Sequence, residues 1–385
     1  MIARILHKRA VVYAAVKHRR VAKYNTQTRS LEHLINENCN PMIFKKTFKI
    51  HYETFDLLVQ YLNEKPSREG IEHSALYHWV ESRREDSMTL RTAVACGVLY
   101  LFGSGSLDEK AATLGMHKST FDVAANRVIA ELVERSNEVI YFPPKDEQVF
   151  LESRNVRRPF PGGLFAIDGT LCRCATKGRR NDFYCRKGYA CINVQVVCDW
   201  NRNLVHIDPN YTGRTQDNDM FMASPLQRLL DGPNSPLRAG GFILADEGYA
   251  NCGSIMRPFT DRDRDPGHQL FNDFFKSARL IVENAIGGWK KKCPLLNIGL
   301  HKMDPEDLVC VVHASAVLYQ FCKRAEEQLF RTVRTSYLRQ RFPIPDFLVT
   351  APDTIQKRTR LVEYFNQQYP RAYHSMALLV ENQES

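Results

Sequence analysis

The sequence predicts an α/β protein in which an all-α segment is followed by a mixed sheet with flanking helices. Three observations carry that expectation. Apolar residues recur at helical spacing through Phe48, Phe55, Leu58 and Leu62, and again through Phe121, Ala125, Val128 and Leu132. Beyond residue 160, Gly163 to Ile167 and Gly241 to Ala245 have the length and bounding glycines of buried strands. Between them, Tyr189 to Trp200 alternates Ala190, Ile192, Val194, Val196 and Cys198 with Cys191, Asn193, Gln195 and Val197, the period of a long strand.

At 385 residues the chain has room for two or three domains, and 44% hydrophobic with 25% charged residues is globular composition, neither disordered overall nor membrane-embedded. A net charge of +10 with a pI near 9.0 favours a polyanionic partner, nucleic acid first among them, although solubility alone accounts for part of it. The eleven cysteines are odd in number and include no Cys-x-x-Cys pair, so reduced thiols in a cytosolic or nuclear protein are expected rather than a disulfide framework. For the same reason a zinc site at Cys172-x-Cys174 with Cys185 and Cys191 is disfavoured. No apolar run reaches the length of a membrane span. The first thirty residues hold eight Lys or Arg and no acid, which suits a nucleic-acid arm, a nuclear address or an organellar presequence, and the residues leave these open.

The expected order is a basic arm over 1–43, a helical domain over 44–150, a sheet domain over 151–325 and a charged, partly ordered tail over 326–385. A helix starts near Tyr52 and ends at Lys65-Pro66, and the apolar run from Thr89 to Phe102 reads as a buried core helix. Two capping boxes follow, Ser106-x-x-Glu109 and Ser119-x-x-Asp122, with Gly115 closing the first helix. Helix, turn and helix at this spacing suggest a helix-turn-helix with Lys118, Asn126 and Arg127 facing DNA, and an ordinary helical corner fits the spacing equally. Pro143-Pro144 to Pro159 reads as a linker. Leu204 to Ile207 pairs as a hairpin with the long strand, Asp217 to Leu230 is helical, and Thr260 to His268 is a surface loop. Ser277 to Lys292 forms a helix with Arg279, Glu283, Ile286, Gly287 and Lys290 on one face, and Asp304-Pro305 opens another.

Asp168 and Asp246 each follow an apolar strand, and Glu283 sits on the later helix. Three acids that a mixed sheet could bring together offer hard oxygen ligands suited to Mg²⁺ or Mn²⁺. Two such ions about 4 Å apart would activate a water or 3′-hydroxyl and stabilise the leaving oxygen of a phosphodiester. Arg279 and Lys290 flank Glu283 and could hold phosphates, while Asp217 reads first as a helix cap and second as a supporting ligand. Glu283 could equally be a surface acid paired with Arg279 at i−4.

Five blocks carry a resemblance. They are Phe160-Pro161-Gly162-Gly163 into Ala166-Ile167-Asp168-Gly169-Thr170, Tyr184 to Tyr189, Asn193 to Asp199, Asp246-Glu247-Gly248-Tyr249, and Ser277-Ala278-Arg279 with Val282 to Lys290. In this order they resemble the DDE endonuclease domain of PIF/Harbinger transposases and their domesticated relatives, over about residues 160 to 322. The resemblance implies an RNase H-like fold with a mixed five-stranded sheet and helices on both faces. It implies catalytic Asp168, Asp246 and Glu283, with Asp217 in the metal-binding set. Leu171 stands where the family often has His, and Leu318-Tyr319-Gln320 where it has Leu-His-Asn; neither departure removes a metal ligand.

The resemblance further implies double-stranded DNA as substrate and a separate Myb-like protein for DNA binding and nuclear entry. The expected location is therefore the nucleus, or the cytoplasm without that partner, and a homo-oligomer is left open. The leading expectation is a Mg²⁺-dependent transposase or endonuclease. The alternative is a domesticated DNA-binding or adaptor protein that keeps the nuclease fold.

Overall fold

The computed structural model describes residues 35, 40–64, 66, 74–82, 88–148, 152–153, 158–176, 181–251, 253–260, 262–330 and 344–384. Most of the basic arm expected over 1–43 lies outside them. Two units emerge: one from the chain up to Val139 with Arg173–Arg179 and Lys290–Arg331, the other from Ile140–Cys172, Arg180–Trp289 and Thr332–Ser385. The chain therefore does not divide in sequence order at residues 150 and 325 as expected. Among the described residues no helix is long and apolar enough to cross a membrane.

The first unit is helical. It holds α1 (Pro41–Phe48), α2 (Tyr52–Asn63), α3 (Ala75–Glu81), α4 (Leu90–Phe102), α5 (Leu107–Thr113), α6 (Lys118–Glu134) and α7 (Ser136–Val139). The core helix α4 begins after Thr89, whose hydroxyl accepts from the Thr92 amide, and it is buried almost all round, as its unbroken apolar run dictates. Gly97 lets α6 close on it, since a methyl there would lie 2.4 Å from Val128 Cγ1. Ser106 and Glu109 form the expected capping box of α5. The second expected box does not form. His117 caps α6 instead and accepts from the Ser119 amide, so the helix starts before Ser119 can serve as its cap.

Behind α6, Arg135 is 3% exposed and lies 3.9 Å above the Tyr61 ring, donating to Glu138 at 3.0 Å while the Tyr61 hydroxyl donates to the same carboxylate at 2.8 Å. Burial is affordable because the network satisfies the charge on both sides.

The second unit holds the sheet, whose strand order is β5-β4-β3-β6-β7. Here β1 (Glu152–Ser153) and β2 (Arg158–Pro159) form a small hairpin before β3 (Gly163–Thr176), β4 (Cys191–Cys198), β5 (Leu204–Thr212), β6 (Phe242–Leu244) and β7 (Ile255–Met256). The pairing is mixed: β4 and β5 are antiparallel, whereas β6 is parallel to both β3 and β7. Arg202, at φ 63, and Asp199, which accepts from the Asn203 amide, close the β4–β5 turn.

The expected helix over 217–230 is two helices, α8 (Asp217–Ala223) and α9 (Pro225–Asp231), because Pro225 lacks the N–H that continuation needs. α10 (Pro266–Lys292) begins eleven residues before the expected Ser277 and absorbs part of the expected loop. In the first unit, α11 (Leu295–Ile298) leads to β8 (Leu300–Met303), which pairs with the far end of β3, and α12 (Pro305–Leu329) follows Asp304.

Where the sequence suggested a charged tail, three helices follow: α13 (Asp346–Val349), α14 (Thr354–Gln368) and α15 (Pro370–Glu384). Phe365 of α14 is 1% exposed and stacks on Phe274 at 4.6 Å, with Phe160 at 5.3 Å. Phe160 also meets Phe271 and Phe275, so one aromatic cluster fastens α10 to the start of β3 and to α14. Phe365→Ala is expected to cost about 3–5 kcal/mol in denaturant unfolding. A loss below about 0.5 kcal/mol would be that of a surface residue and would remove α14 from the core.

Candidate metal and nuclease site

Sequence reasoning placed Asp168 at the end of a strand, in a turn. The strand instead runs on to Thr176, so Asp168 and Gly169 are interior residues of β3. Asp168 Oδ1 accepts from the Gly169 amide at 2.9 Å, and its Oδ2 accepts from Arg279 Nη1 at 3.2 Å.

Asp217 is the first residue of α8 rather than its cap, which is Gln216. Its Oδ1 faces the Asn193 amide of β4 at 3.4 Å. The approach to β3 depends on Gly169, where a methyl group would lie 2.1 Å from Asp217 Oδ1. Asp246 follows β6 and folds back to accept from the Gly248 amide at 2.9 Å.

One carboxylate oxygen from each of Asp168, Asp217 and Asp246 lies within 4.8 Å of the others. Burial pushes Asp168 up to about 6 against the pull of Arg279, with Asp246 and Asp217 adding to the rise. Burial and Asp246 raise Asp217, against Asn193 and Arg186. Tyr249 is 1% exposed, and its phenol is raised well above the ordinary range by burial and by all three aspartates.

The Tyr249 phenol faces the Gln195 amide of β4, and Asn193 Oδ1 has no hydrogen-bond partner among the described residues. A buried, unpaired amide oxygen beside three crowded carboxylates fits an environment completed by a cation and its hydration. Oxygen donors alone suit Mg²⁺ or Mn²⁺ better than zinc.

Glu283 is not part of this cluster. It is 44% exposed at the side chain and accepts from Arg279 Nη2 at 2.5 Å, the i−4 pair that the sequence allowed. It lines, with Asp246, Glu247, Lys276 and Arg279, a groove of about 450 Å³. Arg279 is thus held between Asp168 and Glu283 rather than free for DNA.

The other expected DNA contacts lie in the first unit. Lys118 is exposed and paired with Asp108 at 2.7 Å, and the Arg127 guanidinium lies 5.9 Å from the Trp79 ring centroid. Asn126, expected to face outward, is 9% exposed and donates to the Asp122 carbonyl at 2.8 Å, because α6 buries a wider face than one apolar stripe. Lys290, two turns along α10 from Glu283, is half-buried and its carbonyl accepts from Asn297 at 3.2 Å.

Sequence reasoning missed Asn193, Gln195, Tyr249 and Gly169 as parts of the site. The available signal was in β4, where two amides interrupt an otherwise apolar strand that is buried on both faces.

Asp168 yields a pH prediction. Its folded pKa lies above the unfolded value, so its contribution to stability is present at low pH and lost as pH rises through about 6. Without divalent metal, Asp168→Asn should therefore stabilise the protein at pH 7.5, by at most roughly 3 kcal/mol for a shift of about two units. The gain should shrink towards pH 4. Thermal unfolding across that range checks it, and a gain that grew on acidification would contradict the assignment.

Comparison with known proteins then bears on the same residues. Residues 167–320 match the family model described as DDE superfamily endonuclease. The chain is 25% identical over 169 residues to "Putative nuclease HARBI1" of Xenopus laevis, a match covering 42% of this chain and 45% of that protein. The matched region thus spans less than half the length of that relative. No solved structure matches significantly. All three clustered aspartates and Glu283 fall inside the residues that are similar to the DDE superfamily endonuclease model, a region that covers less than half of this chain.

Proposed function

We propose that the chain is a metal-dependent DNA nuclease of the transposase kind, hydrolysing a phosphodiester to free a 3′-hydroxyl and passing that hydroxyl to a target strand. The observation that carries this reading is the convergence of Asp168, Asp217 and Asp246 within 4.8 Å inside the endonuclease-matching residues. Bound Mg²⁺ or Mn²⁺, as one ion or two, supplies Lewis acidity at the phosphate and activates the attacking water or hydroxyl.

The protein's own part is to hold the acids ready. The Gly169 amide and Arg279 fix the Asp168 carboxylate, Asn193 braces Asp217, and the Gly248 amide turns Asp246 inward. Glu283 is the further ligand in this proposal, since it lines the same groove as Asp246. Lys276 on that groove offers a cation for the phosphate. The mixed sheet with helices supports an RNase H-like arrangement.

The alternative, a DNA-binding adaptor working through α5 and α6, has less support, because Asn126 is buried and Lys118 already has a carboxylate partner. On the favoured reading the substrate is double-stranded DNA and the working location nuclear, with a Myb-like DNA-binding protein as companion.

Incubation of the purified chain with supercoiled plasmid and Mn²⁺ tests this. Nicking is expected in the wild type and should fall by roughly 10³-fold or more in Asp168→Ala, Asp217→Ala or Asp246→Ala. Undiminished nicking in any of the three refutes the assignment. Gly169→Ala keeps every carboxylate yet should cost about 10²-fold by displacing Asp217.

A further inference from the structure

We propose that Arg279 is a built-in counter-cation, occupying a divalent ion's place among the acids until one enters, and that it thereby sets the affinity for metal. The inference rests on the proposed metal site and goes beyond it by naming the residue that competes for it.

The observations are geometric. The guanidinium makes one hydrogen bond to Asp168 on β3 and another to Glu283 one turn further along α10, so a single cationic group joins the trio to the outlying acid. Arg279 is 18% exposed at the side chain and Asp168 is 19% exposed, so the bond between them lies largely out of solvent, where charge-assisted pairs are strong, while the bond to Glu283 is open to it. Arg279 is the main influence opposing the burial that raises Asp168, which agrees with its hydrogen bond to that carboxylate. Three carboxylates that offer oxygens within 4.8 Å of one another repel, and a cation hydrogen-bonded to one of them offsets part of that repulsion.

Two further cations lie nearby: Lys276 lines the neighbouring groove, and Arg186 acts on Asp217. Arg279 differs in joining Asp168 and Glu283 by a hydrogen bond to each. Tyr249, 1% exposed, is influenced by all three aspartates, which places the buried phenol against the same crowded acids.

Two consequences follow from exchange of one cation for another. A divalent ion must break the Arg279 bond to Asp168 before it gains that oxygen, so part of its binding energy is spent on displacement. Glu283 becomes available as well only if the guanidinium moves far enough to give up its second bond. Arg279 is in this sense a positioning residue, acting through Asp168 and Glu283.

The test is Mn²⁺ binding to the full chain, read from the electron paramagnetic resonance signal of free Mn²⁺. Arg279→Met keeps the length and removes the charge, and should bind Mn²⁺ about tenfold more tightly than wild type. It should also melt earlier without metal and gain more in melting temperature when Mn²⁺ is added. Arg279→Lys keeps a point charge but loses the fork that spans two carboxylates, so its affinity should fall between the two, and it carries the test should the Met variant fail to fold. Unchanged or weaker Mn²⁺ binding in these variants, with wild type binding normally, overturns the counter-cation role and leaves the metal site standing. Absence of Mn²⁺ binding in wild type and variants alike overturns both.

Discussion

Like-charge crowding is the constraint on which the rest depends. Three carboxylates meet within 4.8 Å, in surroundings that burial makes hostile to charge. No isolated turn or helix would gather them. They are held by elements whose stability comes from elsewhere: a strand paired within the sheet, a helix N-terminus braced by β4, and a strand end turned by a backbone amide. The sheet and its aromatic packing therefore bear the electrostatic cost that the site imposes.

The aromatic cluster shows how a remote feature reaches that site. Phe271 and Phe275 pack against Phe160, which lies just before β3, and Phe274 stacks on Phe365. This fixes the first half of α10. Arg279 and Glu283 lie one and two turns beyond Phe275 on the same helix, so the direction in which they face the acids is set by where the rings dock. A C-terminal helix that carries no acid of the site thus takes part in its geometry through Phe365.

Much of this was legible in the residues. Glycine-bounded apolar runs announced β3 and β6, alternation announced β4, and the acids read from those strands, Asp168 and Asp246, lie close to each other and to Asp217. The length of β3 was hidden because Asp168-Gly169 has turn chemistry and residues 170–176 mix Thr, Cys and Arg without a clean period. The early start of α10 was masked by the polar, Pro- and Gly-containing stretch before it. Asn126 misled because a one-stripe helix pattern does not reveal a helix buried on a broader face. Glu283 could not be separated in sequence from its ion pair with Arg279, and that ion pair is what the structure shows.

The central claim is that Asp168, Asp217 and Asp246 jointly hold a divalent cation. A crystal of the protein grown or soaked with Mn²⁺ and measured at the manganese absorption edge tests it most directly. The account predicts an anomalous peak bonded to oxygens of all three aspartates. A peak elsewhere on the protein, or three carboxylates unchanged around a position without anomalous signal at saturating Mn²⁺, would contradict it.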